Sequence, residues 1–349
     1  MGERSAATGI VRDARFLDHN YGAGHIEGPE RLESIYAMIR AEHGLPLTII
    51  EPRPATIAEI EYIHTPEYAA FISRTAGKRY LKLDPDTTVT AKSFETALLA
   101  AGGTMKAAET ILAGELQNGF SLVRPPGHHA EKYCARGFCL FNNIAVTAAR
   151  LIHDFGLRRV LIVDWDLHHG NGTQHAFYER SDVLYFSTHQ FPYYPGSGYW
   201  DETGAGPGEG FTVNVPLLAG KSDGDYLFVY RNILGPIARA FKPEFILVSA
   251  GFDIMDGDPL GGMQLSDAGI AALAAEIGGL ARELCGGRLL FVLEGGYDLL
   301  NLASGVKQVL VQLSGAAPAP EVAAEISPAA RLEISPAWDI HGARWPLVR

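Results

Sequence analysis

The nine residues DWDLHHGNG (164–172) hold two carboxylates and two adjacent imidazoles. Unpaired charge is costly to bury, so this set makes poor core filling. Asp166 and His168 are separated by one residue, which lets both side chains point to the same side of an extended segment. With Asp253 they make an Asp/His/Asp set, three protein ligands that leave a position open for water and substrate. Catalytic Zn²⁺ or Fe²⁺ sites have this composition, whereas structural zinc sites fill all four positions. The competing reading of the nonapeptide is an N-capping aspartate followed by solvated histidines.

RPPGHHA (124–130) adds a tandem pair, His128 and His129. Pro125 and Pro126 stiffen the approach, and Gly127 permits close backbone contact. A histidine beside an ion-activated water can take its proton as general base, and a second can donate to a leaving amine. Such imidazoles need orienting groups, and Asp164 and Asn171 are the carboxylate and amide suited to it. Taken singly, a His-His pair is also the make-up of a solvated turn. LEGGYD (293–298) places Tyr297 after two glycines, where a phenol can swing toward a polarised carbonyl and hydrogen-bond the developing oxyanion. Its competing role is packing. GFCLFNN (137–143) and FPYYPGSG (191–198) carry aromatics. Phe138 and Tyr194 would either wall a narrow channel for an aliphatic chain or anchor loops on a sheet. Cys134 and Cys139 lack a second cysteine pair, so they read as thiols near the site rather than a zinc knuckle.

These side chains need a scaffold that brings distant segments together. Strands are expected in 119–125, 158–166, 181–189, 211–217, 243–251 and 287–296, and helices near 92–113, 140–155, 222–241, 266–284 and 298–314. The strands are continuous Val/Ile/Leu runs rather than clean alternations, which suggests burial on both faces. Strands alternating with helices argue a parallel sheet wrapped by helices through right-handed crossovers. The chemistry-bearing residues sit just after the strands, and ligands of open α/β sheets bind outside the carboxyl ends. No Pro/Gly/Ser linker divides residues 10–315. The expected organisation is one catalytic domain over 1–315, with 316–349 an extension that packs on the domain or on a partner subunit.

Composition narrows the class. The 349 residues hold 29 Lys+Arg against 40 Asp+Glu, a net charge of −11. That balance disfavours a nucleic-acid surface and suits cationic substrates. No apolar run approaches the ~18–20 residues of a membrane span. The N-terminal MGERSAATGIV has no hydrophobic signal core, and three cysteines cannot build a disulfide framework. The expectation is a cytoplasmic enzyme, with a homo-oligomer left open.

RPPGHHA, GFCLFNN, DWDLHHGNGTQ, GFDIMDGDPLGG and LEGGYD, in this order, resemble the zinc-dependent histone deacetylase / acetylpolyamine amidohydrolase family over roughly residues 10–315. GNGTQ and LEGGY look like its class II-type branch and bacterial relatives. The resemblance implies an α/β fold of arginase/deacetylase type, an open, mostly parallel central sheet flanked by helices. It implies Asp166, His168 and Asp253 as zinc ligands, with Fe²⁺ as the other metal. His129 matches the principal base and His128 the imidazole held by Asp164; Asn171 matches the class II-type amide, and Tyr297 the oxyanion-stabilising tyrosine. Gly137, Phe138 and Tyr194 match the walls of an acyl-lysine channel, the last more often Phe. The family also holds a structural K⁺ or Na⁺, which here would take the Asp164 side chain, backbone carbonyls of Asp166 and His168, and Ser187 with Thr188.

The expected activity is removal of acyl groups from the ε-amine of lysine. An acetylpolyamine deacetylase is the first alternative. Polyamine-selective relatives carry Glu where this chain has Leu260, although Asp84 and Asp86 offer rim carboxylates. A binuclear manganese hydrolase would need further bridging carboxylates, and a non-catalytic acyl-lysine binder would have no use for an intact Tyr297.

Overall fold

A strand covered by helices on both faces can bury every residue, and that is the signature of the central runs. VLIVD, FILVSA and LLFVL are buried throughout. In a computed structural model describing residues 7–22, 24–42 and 44–347, they form the middle of one sheet. Residues 1–6, the start of the N-terminal stretch read above for a signal core, lie outside the described residues. The strands are β1 (Thr8–Val11), β2 (Leu47–Ile50), β3 (Leu81–Lys82), β4 (Thr88–Val89), β5 (Asn118–Ser121), β6 (Val160–Asp164), β7 (Val183–Gln190), β8 (Thr212–Leu217), β9 (Phe245–Ala250) and β10 (Leu289–Leu293). Strands β3 and β4 pair antiparallel as a separate ribbon. The other eight form one sheet in the order β2-β1-β5-β10-β9-β6-β7-β8. Every pairing in it is parallel.

This order makes neighbours of β5, β10, β9, β6 and β7, so their carboxyl ends share one edge. Connectors there lead into helices whose caps are the same motif residues. Asn142 Oδ1 accepts from Ala145 N and starts the helix Asn143–His153. Asp298 accepts from Leu300 N and Asn301 N and starts Leu299–Ser314. One short segment thus ends β10, presents Tyr297 and nucleates a helix, each cap satisfying amides that would otherwise lack partners.

The expected helices are present with shifted ends: Ser93–Leu112, Asn143–His153, Asp267–Cys285 and Leu299–Ser314. The stretch expected as one helix over 222–241 is helical from Asp223 to Phe241, with a π-helical turn at Tyr230–Leu234. Strands β1 and β2 and the helices Glu30–Ala41 and Asn171–Phe177 were not expected from the sequence pattern.

The C-terminal segment carries a helix, Pro328–Gly342, that packs against β8 and buries Ile334 and Trp338. Glu333 pairs with Lys221 at 3.1 Å, Trp345 Nε1 donates to Gly210 O at 2.9 Å, and Arg344 lies 4.6 Å from the Phe211 ring centre. These contacts shield the sheet's last strand.

Candidate active site

Strand β6 ends in Asp164, and the chain then runs through Trp165, fully buried against Phe291, to Asp166 and His168. Asp253 arrives three residues beyond the end of β9. The ligand atoms of Asp166, His168 and Asp253 lie within 4.8 Å of one another, and all three residues are buried. His168 Nδ1 is 3.2 Å from Asp166 Oδ1 and 3.1 Å from Asp253 Oδ2. Backbone amides fix the carboxylates: Gly295 N donates to Asp166 Oδ2 at 2.8 Å, and Leu167 N to Asp253 Oδ1 at 3.0 Å. Two glycines clear the space. A Cβ on Gly251 would stand 2.0 Å from Asp166 Oδ2, and one on Gly295 would stand 2.3 Å from Asp253 Oδ2.

Two buried carboxylates so close together suit a cation at this point. Burial, and next the Asp166 charge, push Asp253 up to about 7. Burial opposes a charged His168, yet its bonds to Asp166 and Asp253 hold it up to about 9. A divalent ion would balance the two carboxylates outright and leave the imidazole neutral. Two oxygens and one nitrogen are the donors a catalytic site for a Zn²⁺-like ion uses. The residues fit such an ion, and the described residues hold no other cluster of this kind. Cys139 is buried with its thiol against Gly137 O at 3.2 Å, in keeping with a thiol beside the site rather than a ligand.

The tandem imidazoles come from the turn after β5. Gly127 N and His128 N both donate to Glu294 Oε2, at 2.7 and 3.2 Å, and Ser249 Oγ donates to Glu294 Oε1 at 3.0 Å. This buried carboxylate pins the PPGHH turn to β9 and β10. His128 Nδ1 reaches Asp164 Oδ2 at 3.1 Å, the oxygen that also accepts from Tyr185 OH at 3.0 Å. His129 Nδ1 reaches Asn171 Oδ1 at 2.8 Å. The ring centres are 4.0 Å apart, but the environments differ. Burial opposes charge on His128, and Asp166 and Asp164 outweigh it, lifting the imidazole to about 10. Burial, then the charges of His128 and His168, hold His129 well below the usual histidine range. Two adjacent titratable groups pushed apart in this way can divide the roles of proton donor and acceptor.

Tyr297 stands opposite. Burial raises its phenol well above the ordinary value against the pull of Arg31, so it remains a protonated donor. The Arg31 guanidinium lies 5.0 Å from the ring centre and donates to Gly296 O and Glu294 O at 2.7 and 2.5 Å. Asp258 holds the same turn from the other side: Oδ2 accepts from Tyr297 N at 2.6 Å and Asp298 N at 3.1 Å, while Oδ1 accepts from Leu260 N at 2.9 Å.

Above these groups is a cavity of about 300 Å³ whose walls include Phe138, Tyr193, Tyr194 and Leu260, with Asp86 also among its lining residues. Gly137 and Phe138 both take positive φ, +52° and +67°. The first lies flat on His129, where a Cβ would stand 2.3 Å from Cδ2. A larger hollow, about 1020 Å³ beside Ala7, Gln117 and Arg288, opens at the opposite edge and carries none of this chemistry.

Of the expected residues, Asp166 and Asp253 lie against His168, and His128, His129, Gly137, Phe138, His168, Tyr194, Leu260 and Tyr297 line this one cavity. Ser187 and Thr188 lie behind it. Ser187 pairs in register with Asp164, its Oγ is 2.9 Å from His189 Nδ1, and Thr188 Oγ1 is 3.2 Å from Tyr230 OH. The structure adds groups that the sequence reading passed over: Glu294, Asp258, Arg31 and Glu131. Glu131 directly follows the GHHA motif, Glu294 lies within LEGGYD and Asp258 within GFDIMDGDPLGG, and those positions were the available signals.

A candidate metal triad, paired imidazoles and a phenol stand at the carboxyl edge of an open parallel sheet, and similarity to known proteins makes the class a hydrolase of the deacetylase type. Residues 25–313 match the histone deacetylase domain. A probable deacetylase of Archaeoglobus fulgidus is 41% identical over 295 residues, 84% of this chain and 82% of its own. Histone deacetylase 15 of Arabidopsis thaliana is 40% identical over 334 residues, 93% of this chain and 60% of its own. The human polyamine deacetylase HDAC10 is 39% identical over 326 residues, 87% of this chain and 46% of its own. The crystal structure of the HDA15 HD domain superposes with a TM-score of 0.91 at 38% identity, covering 98% of this chain and 96% of that one. The chain belongs to the histone deacetylase family. It spans most of the archaeal relative but only part of the longer plant and human ones.

Proposed function

We propose that the protein is a zinc-dependent deacylase that removes acetyl and related acyl groups from the ε-amine of lysine. The observation that carries this reading is the position of Asp166, His168 and Asp253 at the base of a narrow, aromatic-walled cavity, with His129 and Tyr297 beside them. A divalent ion held there supplies Lewis-acid polarisation of the amide carbonyl and lowers the pKa of a water. His129, neutral and oriented by Asn171, accepts the proton of the attacking water. The Tyr297 phenol donates to the oxyanion as the tetrahedral centre forms. His128, held charged by Asp164, stabilises negative charge at the site, and an imidazolium returns a proton to the leaving amine. Phe138 and Tyr194 exclude water from the aliphatic chain and align it.

Three further assignments belong to this proposal. A structural K⁺ or Na⁺ sits behind the site near Asp164, Ser187 and Thr188. The setting is cytoplasmic, in keeping with free Cys134, Cys139 and Cys285. The partners are acylated peptides rather than nucleic acid or membrane, in keeping with a net charge of −11. Among the described residues no helix is long and apolar enough to cross a membrane.

The similarity to a polyamine deacetylase supports a second reading, with acetylated polyamines as substrate. Against it, Leu260 offers no carboxylate to a distant ammonium, although Asp86 does line the cavity. Rates on acetyl-lysine peptide, longer acyl-lysines and acetylputrescine, measured side by side with zinc-reconstituted protein, decide between them. A higher kcat/KM for acyl-lysine supports the first reading, and a higher value for acetylputrescine the second. No turnover on any of them at stoichiometric zinc overturns both.

A further inference from the structure

An asparagine beside a catalytic histidine carries an ambiguity that an aspartate does not. Its amide presents either oxygen or NH₂ with nearly the same shape, so its neighbours must choose. Asn171 Oδ1 faces His129 Nδ1 at 2.8 Å. The Asn171 NH₂ donates to Glu131 Oε1 at 2.5 Å and, more weakly, to His129 O at 3.4 Å. Both of those partners only accept. Turning the amide over would set its oxygen against a buried carboxylate, a repulsion that a low-dielectric site does not screen.

Glu131 is itself held firmly. It is 6% exposed, and His175 Nδ1 lies 2.9 and 3.1 Å from its two carboxylate oxygens. His175 stands one turn after Asn171 on the helix Asn171–Phe177, so that helix brackets the carboxylate with two side chains. The Glu131 backbone is fixed as well: its N–H donates to Cys134 O at 2.9 Å, and its carbonyl lies 2.9 Å from His64 Nδ1.

We infer that Glu131 is a positioning residue for the general base: by holding the Asn171 amide in one orientation, it fixes His129 as the Nδ1–H tautomer and leaves Nε2 free to take a proton. This rests on the reading of His129 as the base. An acceptor at Nδ1 demands a hydrogen there, and the tautomer of a histidine is set by the bond its other nitrogen makes. The negative charge that an aspartate would place against the imidazole is moved one residue outward, beside half-exposed His175.

The test uses zinc-loaded protein with ¹⁵N-labelled histidine, the His129 signals being assigned with His129→Gln. In the parent, His129 gives the pattern of a single Nδ1–H tautomer. In Glu131→Leu the Nε2–H form becomes populated and kcat falls about tenfold or more, with KM and zinc content unchanged. Adding Asn171→Asp, which needs no orienting neighbour, restores the single tautomer and most of kcat. If Glu131→Leu does not fold, the near-isosteric pair Glu131→Gln/Asn171→Asp reverses donor and acceptor between the two residues. It retains the Nδ1–H form and near-parent kcat. A folded Glu131→Leu protein whose His129 stays wholly Nδ1–H overturns the proposal. So does either double variant lacking the Nδ1–H form. Parent protein that turns over no acylated amine, but shows the same tautomer change, leaves the positioning role standing and removes the deacylase reading instead.

Discussion

Two glycines leave room for the carboxylates of the candidate metal site. Gly251 and Gly295 sit where any Cβ would collide with the Asp166 and Asp253 carboxylates. Gly251→Ala is expected to fold, because its φ is unexceptional, but to displace Asp166 and lower zinc affinity at least tenfold. Competition with a chromogenic chelator measures this, and unchanged affinity would remove the argument. Tyr297→Phe keeps the ring on Arg31 and loses only the donor, so kcat should fall ~10²–10³-fold with zinc content unchanged. Steady-state kinetics on acetyl-lysine peptide checks it, and near-full turnover would end the oxyanion role. The ligands and tandem histidines were legible because their residue types are rare, costly to bury and adjacent in sequence. Glu131, Asp258 and Glu294 were not. A single acid among 40 looks like surface until the fold shows which donors it faces, and for Glu294 these are 45 to 167 residues away.

At the scale of elements, the fully buried strands announced themselves as aliphatic runs, while β1 and β2 did not. Each is four residues long, and the β2 edge strand exposes Thr48 and Ile49, so no pattern develops. The helix Asn171–Phe177 begins Asn-Gly-Thr, poor helix formers, and is set by its place over the site rather than by propensity. The C-terminal helix offers a test of its docking. His341 on that helix is 1% exposed, and burial holds it down at about 4 against an unperturbed 6.5. Between those values the unfolded chain binds the proton and the folded one does not, so this residue's contribution is lost as pH falls from about 6.5 toward 4. The loss reaches about 2 kcal/mol by pH 5. Urea unfolding of the parent and of His341→Gln at pH 7 and pH 5 isolates it: the stability gap between the two should shift by about that amount. A gap constant with pH would mean that His341 accepts its proton without leaving the fold.

For the whole molecule, the parallel sheet was readable from the alternation of strands and helices, but its order was not. Placing β10 and β9 between β5 and β6 is a decision of crossover packing that local sequence does not encode. That order is what gathers the site at one edge. It should also tie metal to stability, since the candidate ligands come from two separated stretches that only the fold brings together. Zinc at 100 times its dissociation constant should add about 2.7 kcal/mol. The melting temperature is then expected to rise by several degrees on loading and to fall back with a chelator. Calorimetry checks this, and an unchanged melting temperature would deny that the three ligands share an ion.

One carboxylate, Asp258, holds the amides of both Leu260 and Tyr297. The mouth of the cavity and its reacting end therefore share one anchor. A substitution that widens the entrance for a bulkier acyl chain drags on the phenol as well. In this architecture breadth of substrate and speed of turnover are expected to be coupled, so that selecting for one shifts the other.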